Sequence, residues 1–422
     1  MPANTDRPTG GHRGRRIAVI GAGPIGLEAA LRAARDDWHV DVYDATGVGG
    51  HIARWGHVVL FTPFSMNHSP HGVQAIRAAG GGGDLPLPDA FITGRDYVDR
   101  YLTPLSRTAA LAGTVHERHR VIGVARSGML KGEDVAGHKR MQTPFRLLIE
   151  DPKGAEYTAD ADVVIDASGT YGQHNWLGSG GIPAVGERRA GARISYGLDD
   201  ITGRDRHLYT ACHTLLIGAG YSAATSIVEL AKLVDDDRRT RVIWITKSLR
   251  DPPIREIPDD RLYARAHLAR SANAIATQVH PRIRYVSGAM VDRLEPAPHG
   301  AVAVHVTRVS GERHVFEVHR VIANVGYHPD RSLYRELHVH ECFATMGPMK
   351  LAAALAGEPV ADCLQRKPAG GDALTNPEPD FFVLGAKSYG RDPTFLMQTG
   401  IAQVDEVFSL LTGARGGERA SA

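Results

Sequence analysis

Residues 16–34 read RIAVIGAGPIGLEAALRAA, and this stretch decides the fold. A short apolar run, Ile17 to Ile20, meets the turn Gly21-Ala22-Gly23-Pro24-Ile25-Gly26, after which apolar residues recur at helical spacing. G-x-G-x-x-G between a strand and a helix is the turn that receives a dinucleotide. Gly21 permits the tight bend, and Gly23 removes a side chain where a pyrophosphate must approach. Gly26 lets helix and strand pack closely, and the helix N-terminus faces the phosphate charge. An acid is required about 20 residues further on, at the end of the second strand, to bond ribose hydroxyls. The run VDVYD supplies it as Asp44.

The chain then repeats itself. Residues 213–231, HTLLIGAGYSAATSIVELA, place a second apolar strand before Gly218-Ala219-Gly220-Tyr221-Ser222-Ala223 and a second helical pattern. This is G-x-G-x-x-A, the variant with alanine at the third glycine. The strand after that helix, RVIWIT, is not closed by an acid; Lys247 and Arg250 stand there, with Arg255 further along. A missing acid with cations in its place is the pattern for a 2′-phosphate, so NADPH is expected over NADH.

Two such units predict an α/β protein with two Rossmann-like dinucleotide-binding domains, the second inserted into the first. The expected boundaries are a disordered arm at 1–15, a discontinuous first domain at 16–205 and 318–415, and the insertion at 206–317. Within the first domain the pattern predicts a strand at Val58–Phe61 and a helix from Arg95 to Leu111 capped near Thr93 or Gly94. Strand pairs are expected over 145–169 and antiparallel strands over 300–326. A closing helix is expected to begin near Pro393 and Thr394 and to end at Gly413.

Composition narrows the function class. With 43% hydrophobic and 23% charged residues, the 422-residue chain reads as soluble, globular and large enough for two domains. Forty-nine Lys and Arg stand against 47 Asp and Glu, so no strong field argues for nucleic acid or an acidic membrane. Cys212, Cys342 and Cys363 are widely spaced and form no C-x-x-C, which removes support for a dithiol redox centre or a zinc knuckle. The first residues carry no apolar signal core, and no run approaches the ~18 apolar residues of a membrane helix. A cytoplasmic location is expected. The 21 histidines lack metal-ligand spacing, so no metal is expected.

Taken together, GAGPIGLEAA with Asp44 and Gly49-Gly50, VIDASGTYG, IGAGYSA and ANVGYHPD resemble the two-dinucleotide-binding flavoproteins, most closely the flavin-containing and N-hydroxylating monooxygenases. The resemblance spans roughly residues 16 to 412. It implies FAD on the first unit, NADPH on the second, and an FAD domain completed by the C-terminal segment. It also implies that Gly49 and Gly50 lie in the FAD loop, that Ser168 and Gly169 close a strand near the cofactor, and that Gly385 and Thr394 border it before the last helix. In the segment LFTPFSMNHSPHG, residues 60–72, it puts Asn67 where a flavin-facing donor belongs, with His68 beside it as an acid–base group. Where many relatives carry Gly-Asp, this chain has Gly385-Ala386-Lys387, and His51 follows the double glycine where a Trp is common.

With no dithiol, reduced flavin must pass electrons directly to a substrate or to oxygen. The leading expectation is an FAD- and NADPH-dependent monooxygenase acting through a flavin–oxygen adduct, with molecular oxygen and a small N/S-containing or nucleophilic substrate as partners. The alternative is an FAD-linked NAD(P)H reductase or dehydrogenase that inserts no oxygen. A non-catalytic redox-sensing flavoprotein is the least favoured. Whether the chain forms a homodimer is left open.

Overall fold

The computed structural model describes residues 14–357 and 362–413. The expected arm at 1–15 therefore lies almost wholly outside the described residues. In chain order the first strands are β1 (Arg16–Ile20), β2 (His39–Asp44), β3 (Val115–Glu117), β4 (Arg120–Arg126), β5 (Phe145–Glu150), β6 (Glu156–Ala161) and β7 (Val163–Asp166). They are followed by β8 (Ile194–Ser195), β9 (His213–Ile217), β10 (Arg241–Ile245), β11 (Ile283–Val286) and β12 (Ala289–Pro296). The last are β13 (Val302–Arg308), β14 (Arg313–Val318), β15 (Arg320–Ala323) and β16 (Phe381–Val383).

These strands build the same architecture twice. One parallel sheet has the order β16-β7-β1-β2-β3, the other β11-β10-β9-β15-β8. Each is accompanied by a three-stranded antiparallel sheet, β4-β5-β6 in the first and β12-β13-β14 in the second. Strands covered on both faces must be apolar throughout, which explains why four consecutive residues of β1, of β7 and of β9 are buried. In the first unit Ala18, Ile20, Val164 and Phe381 pack against Phe145, Leu147 and Ile149 of the antiparallel sheet. In the second, Leu216, Val242 and Trp244 meet the helices Tyr221–Asp236 and Tyr263–Thr277, while Leu215, Ile217 and Val321 face Val304 and Val306. Each such fully buried aliphatic side chain contributes roughly 1.5–3 kcal/mol.

The chain divides into two compact units, but not at the boundaries expected from sequence. The second unit comprises Arg54–Phe61 and Gln173–Tyr327; the first holds the described residues up to Ala53, Thr62–Gly172, and those from His328 onward. The insertion is longer than 206–317 because β8 and β15 join the β9 sheet: Val321 pairs with Ile194, and β15 runs beside β9 from Arg320 to Ala323. Val58–Phe61 forms no strand; Val58 N donates to Trp55 O in a turn, and Phe61 packs edge-on against Tyr221 with ring centroids 5.7 Å apart.

The helix expected over Arg95–Leu111 begins as predicted, in a capping box where Thr93 and Asp96 exchange hydrogen bonds. It runs through a π-turn at Val98–Leu102 and stops at Ser106. Pro104 has no N–H to give the ladder, and the wider register over the preceding turn accommodates its ring. Among the described residues no helix is long and apolar enough to cross a membrane.

Candidate functional site

The first glycine turn is built from three different constraints. Gly21 adopts φ +105°, and a Cβ there would lie 2.7 Å from the Ala167 carbonyl oxygen. A Cβ on Gly26 would collide with the carbonyl of Gly21. Gly23 is the exception: nothing lies within 4 Å of where its side chain would project. Two glycines thus let backbones touch, and the third leaves open space in front of the helix Pro24–Arg35. Pro24 occupies the first helical turn, where a missing N–H costs nothing, and no side chain caps the helix start. Its leading N–H groups are left for an anionic group, which is what a pyrophosphate requires. Ile25 points away from that space and inward. A Cβ on Gly385 would lie 3.3 Å from its Cγ1, and a Cβ on Gly400 would overlap its side chain, so Ile25 sets how closely the closing helix Met397–Leu411 approaches.

Asp44 ends β2 as expected, and its carboxylate organises the loops around the turn. Oδ2 accepts from Ala22 N at 2.8 Å; Oδ1 accepts from Thr46 N at 2.7 Å, Thr46 Oγ1 at 2.9 Å and Gly47 N at 2.8 Å. With one bond on Oδ2, that oxygen keeps a lone pair for a hydroxyl. Gly49 N donates to Ala22 O at 3.0 Å, and Gly49 (φ +62°) and Gly50 are both glycine because a Cβ would meet Val98 and Thr46. A cavity of about 270 Å³ opens beyond β2 and β3, lined by Val48, Arg107, Val115 and Glu117 among others.

Across the turn, Ser168 and Gly169 follow β7. Ser168 donates to Asp166 Oδ1 from both its N–H (3.1 Å) and its hydroxyl (2.7 Å), and Gly169 (φ +72°) faces open space. Two residues missed by sequence reasoning meet here. The Lys387 ammonium donates to Asp166 at 2.6 Å and to Ser168 Oγ at 3.0 Å, both ionic side chains being fully buried. The available signal was Asp166 itself, an acid inside the otherwise apolar run VVID.

In the second unit the turn is drawn to the same plan. Gly218 (φ +143°) lies against the Asn324 carbonyl, Gly220 faces open space, and Ala223 is completely buried beneath the turn. The helix start has no side-chain cap and so offers its N–H groups, with Ser222 in the first turn. Trp244 Nε1 donates to Gly218 O at 2.9 Å, and Ser226 Oγ donates to Asn324 Oδ1 at 2.8 Å. Tyr221 OH reaches the Arg255 carbonyl at 3.4 Å. Lys247 and Arg250 are exposed just past β10, and among the described residues no carboxylate pairs with either. Both dinucleotide turns therefore fit the groups they are expected to hold.

The expected catalytic residues are placed differently. Asn67 is buried, and its amide is committed to its own loop: Nδ2 donates to Thr62 O (3.2 Å) and Pro63 O (2.8 Å), while Oδ1 accepts from Thr62 Oγ1 (3.0 Å). Its carbonyl accepts from Tyr97 OH. His68 lies tilted against Phe64, ring centroids 4.4 Å apart, with its Nδ1 3.1 Å from Ser69 O. Thr394 precedes the closing helix, which begins at Met397 instead of at Pro393, because Thr394 N and Oγ1 both bond Asp392 Oδ1 in a preceding turn.

Two parallel-sheet units, each ending in a glycine turn that opens toward a helix start, define an FAD-dependent oxidoreductase that draws reducing equivalents from a pyridine nucleotide. The chain belongs to the pyridine nucleotide-disulphide oxidoreductase family, whose model matches residues 15–342. No match is found among curated proteins. Among solved structures the fold is similar to bacillithiol disulfide reductase from Bacillus cereus, with a TM-score of 0.67 and 17% identity over 95% of this chain and 100% of that one. It is similar to the ornithine N-hydroxylase of Kutzneria sp. 744 (TM-score 0.60, 15% identity, 96% of this chain and 100% of that one). The cadaverine monooxygenase of Erwinia amylovora gives a TM-score of 0.63 at 12% identity, with 95% of each chain covered. At these identities the likeness concerns the fold.

Proposed function

We propose that the protein is a monooxygenase that binds FAD on its first unit and NADPH on its second, and oxygenates a small nitrogen- or sulfur-containing nucleophile. The observation that carries the reading is where cysteines are and are not. None of Cys212, Cys342 and Cys363 lies in a glycine turn, and the sequence holds no C-x-x-C to relay electrons to a disulfide partner. FAD, when bound, supplies the redox chemistry; the chain binds, orients and excludes water. The open space at Gly23 and the uncapped helix start receive the pyrophosphate, and Asp44 Oδ2 accepts from a ribose hydroxyl. Lys247 and Arg250 recognise the 2′-phosphate of NADPH. Asn67 holds the segment 62–67 in shape, so a donor presented to substrate from this segment or next to it comes from its backbone, from the exposed Ser65 hydroxyl or from His68. The hydroxylases similar in fold are named for ornithine and cadaverine, which makes primary amines the first substrates to try.

A reductase that inserts no oxygen is the second reading, and one residue favours it. Hydrogen bonds from the hydroxyl and N–H of Thr345 and from the N–H of Ala344 hold the Cys342 thiol below the ordinary cysteine range, which raises its thiolate fraction.

The decisive experiment mixes reduced, NADP⁺-bound enzyme with oxygenated buffer, with and without amines, sulfides and small disulfides. Oxygenation requires an absorbing species distinct from oxidised and reduced flavin, and product carrying label from ¹⁸O₂. Direct return to oxidised flavin with stoichiometric peroxide, unlabelled products, and NADPH oxidation that responds to a disulfide would refute it in favour of the reductase.

A further inference from the structure

A lysine with 1% of its surface exposed must give up its proton or find partners. Lys387 has them: Asp166 Oδ2 at 2.6 Å, Ser168 Oγ at 3.0 Å, and the face of Tyr334, whose ring centre is 5.2 Å from Nζ. Ser168 closes the triangle by donating its own hydroxyl to Asp166 Oδ1 at 2.7 Å. All of this sits directly behind the first glycine turn. Ala167 N donates to Ile20 O at 2.9 Å, and the Ala167 carbonyl is the atom that forbids a side chain on Gly21. On the other side Leu384 N donates to Asp166 O, and Gly385 N donates to Gln403 of the closing helix, both at 2.9 Å.

Stability does not account for such a pair. Desolvating two charges consumes most of what their attraction returns, and apolar replacements of similar volume are often neutral or better. What the pair does achieve is to lock two separate pieces of chain in one arrangement, the Gly385–Tyr389 segment and the β7 end, whose Ala167 backs the pyrophosphate turn. We propose that Lys387 is a positioning residue for FAD, acting through Asp166 and Ser168 to fix the strand end and the 385–389 segment that border the cofactor. This rests on FAD binding to the first unit and is independent of whether oxygen is inserted.

The test uses the full chain, stripped of flavin and titrated with FAD, and compares wild type with Lys387→Met, the double variant Lys387→Met/Asp166→Leu, and Ser168→Ala. Lys387→Met alone leaves Asp166 buried and unpaired, so it is expected to lower the unfolding temperature or to prevent folding. The double variant removes both charges and recovers the stability of the flavin-free protein. Its FAD Kd is nonetheless expected to stay at least tenfold above wild type, with a shifted flavin absorption band or midpoint potential. Ser168→Ala keeps the ion pair but takes one hydrogen bond from each partner, and is expected to show the same spectral shift with a smaller loss of stability than Lys387→Met. Wild-type Kd and an unshifted spectrum in the double variant and in Ser168→Ala would reduce the pair to a core staple and overturn the proposal. A wild-type chain that takes up no FAD would instead overturn the cofactor assignment, and the proposal with it.

Discussion

Replacing Asp44 by alanine separates two jobs that its carboxylate performs. Four donors lose their acceptor: Ala22 N, Thr46 N, Thr46 Oγ1 and Gly47 N. Thr46 is exposed, so its two donors turn to water and contribute little. Ala22 and Gly47 are both buried, and at about 1–3 kcal/mol for each orphaned N–H the two together cost about 2–6 kcal/mol. Flavin-free Asp44→Ala should therefore lose stability by about that amount, measured by urea unfolding. The second job appears only with FAD. A hydroxyl bonded to a carboxylate is worth roughly 1.5–3 kcal/mol, so the Kd for FAD should rise about ten- to a hundredfold beyond wild type. Fluorescence titration of the stripped protein reads this directly. Asp44→Asn offers the buried N–H an oxygen without the charge, so it should recover part of the stability and less of the affinity. If Asp44→Ala shows the full loss of stability and an unchanged FAD Kd, the residue clamps loops and does not touch the ribose.

The remaining predictions concern coenzyme choice, the turn and the core. Lys247→Ala plus Arg250→Ala removes two exposed cations, each worth about 1.5 kcal/mol at a phosphate, and should cut the NADPH-over-NADH preference in flavin reduction by about a hundredfold; an unchanged ratio would refute the 2′-phosphate assignment. Gly23→Ala places its Cβ in open space at φ −78°, so flavin-free stability should hold within about 0.5 kcal/mol while FAD affinity falls. Gly26→Ala collides with the Gly21 carbonyl, so thermal unfolding should show a large loss with or without flavin, and equal behaviour of the two variants would contradict the geometry. Burial alone would raise the Glu378 carboxyl, but hydrogen bonds from Arg140, His338 N and Arg126 hold it below the usual range. Its stabilisation is thus complete above the unfolded value of about 4.3 and is lost as pH falls through the lower folded value. Glu378→Ala leaves two buried arginines uncompensated at a cost of about 3–5 kcal/mol, and thermal unfolding between pH 3 and 7 should show the variant losing less stability on acidification than the wild type does.

The parts of the fold that were legible are those whose signal is local. A strand, a glycine turn and an amphipathic helix lie in one short continuous stretch of each unit, Arg16–Arg35 and His213–Asp236, and both units formed where IGAGPIG and IGAGYSA stand. The unit boundaries were not legible, because they hang on non-local pairing. Ile194–Ser195 is a two-residue strand whose side of the boundary is decided by Val321 and Ile322, far along the chain. The same holds for Arg54–Phe61, which belongs with the second unit although both of its flanks belong to the first. The irregular turn before Thr103 was readable in principle, since Pro104 lacks the N–H that a regular ladder needs there.

The site divides along a similar line, with a chemical reason behind it. A pyrophosphate is held by backbone N–H groups, and the only way for a sequence to make room for backbone is to leave out side chains. Gly21, Gly23, Gly26, Gly218 and Gly220 are that record, so the dinucleotide turns can be read without a structure. The chemistry beside them is made by side chains that converge from distant segments. Lys387 reaches Asp166 from more than two hundred residues away, and neither residue carries a local pattern that names the other. Asn67 illustrates the converse: its type suited a flavin-facing donor, yet an amide has few hydrogen-bonding atoms, and here Thr62 and Pro63 engage both ends of it. Residue type indicates what a group can do, while the partners that already occupy its donors and acceptors determine what remains for a ligand. For that reason the cofactors follow from short motifs in this chain, whereas the choice between oxygenation and reduction depends on what His68, Cys342 and the 62–67 backbone leave open to substrate.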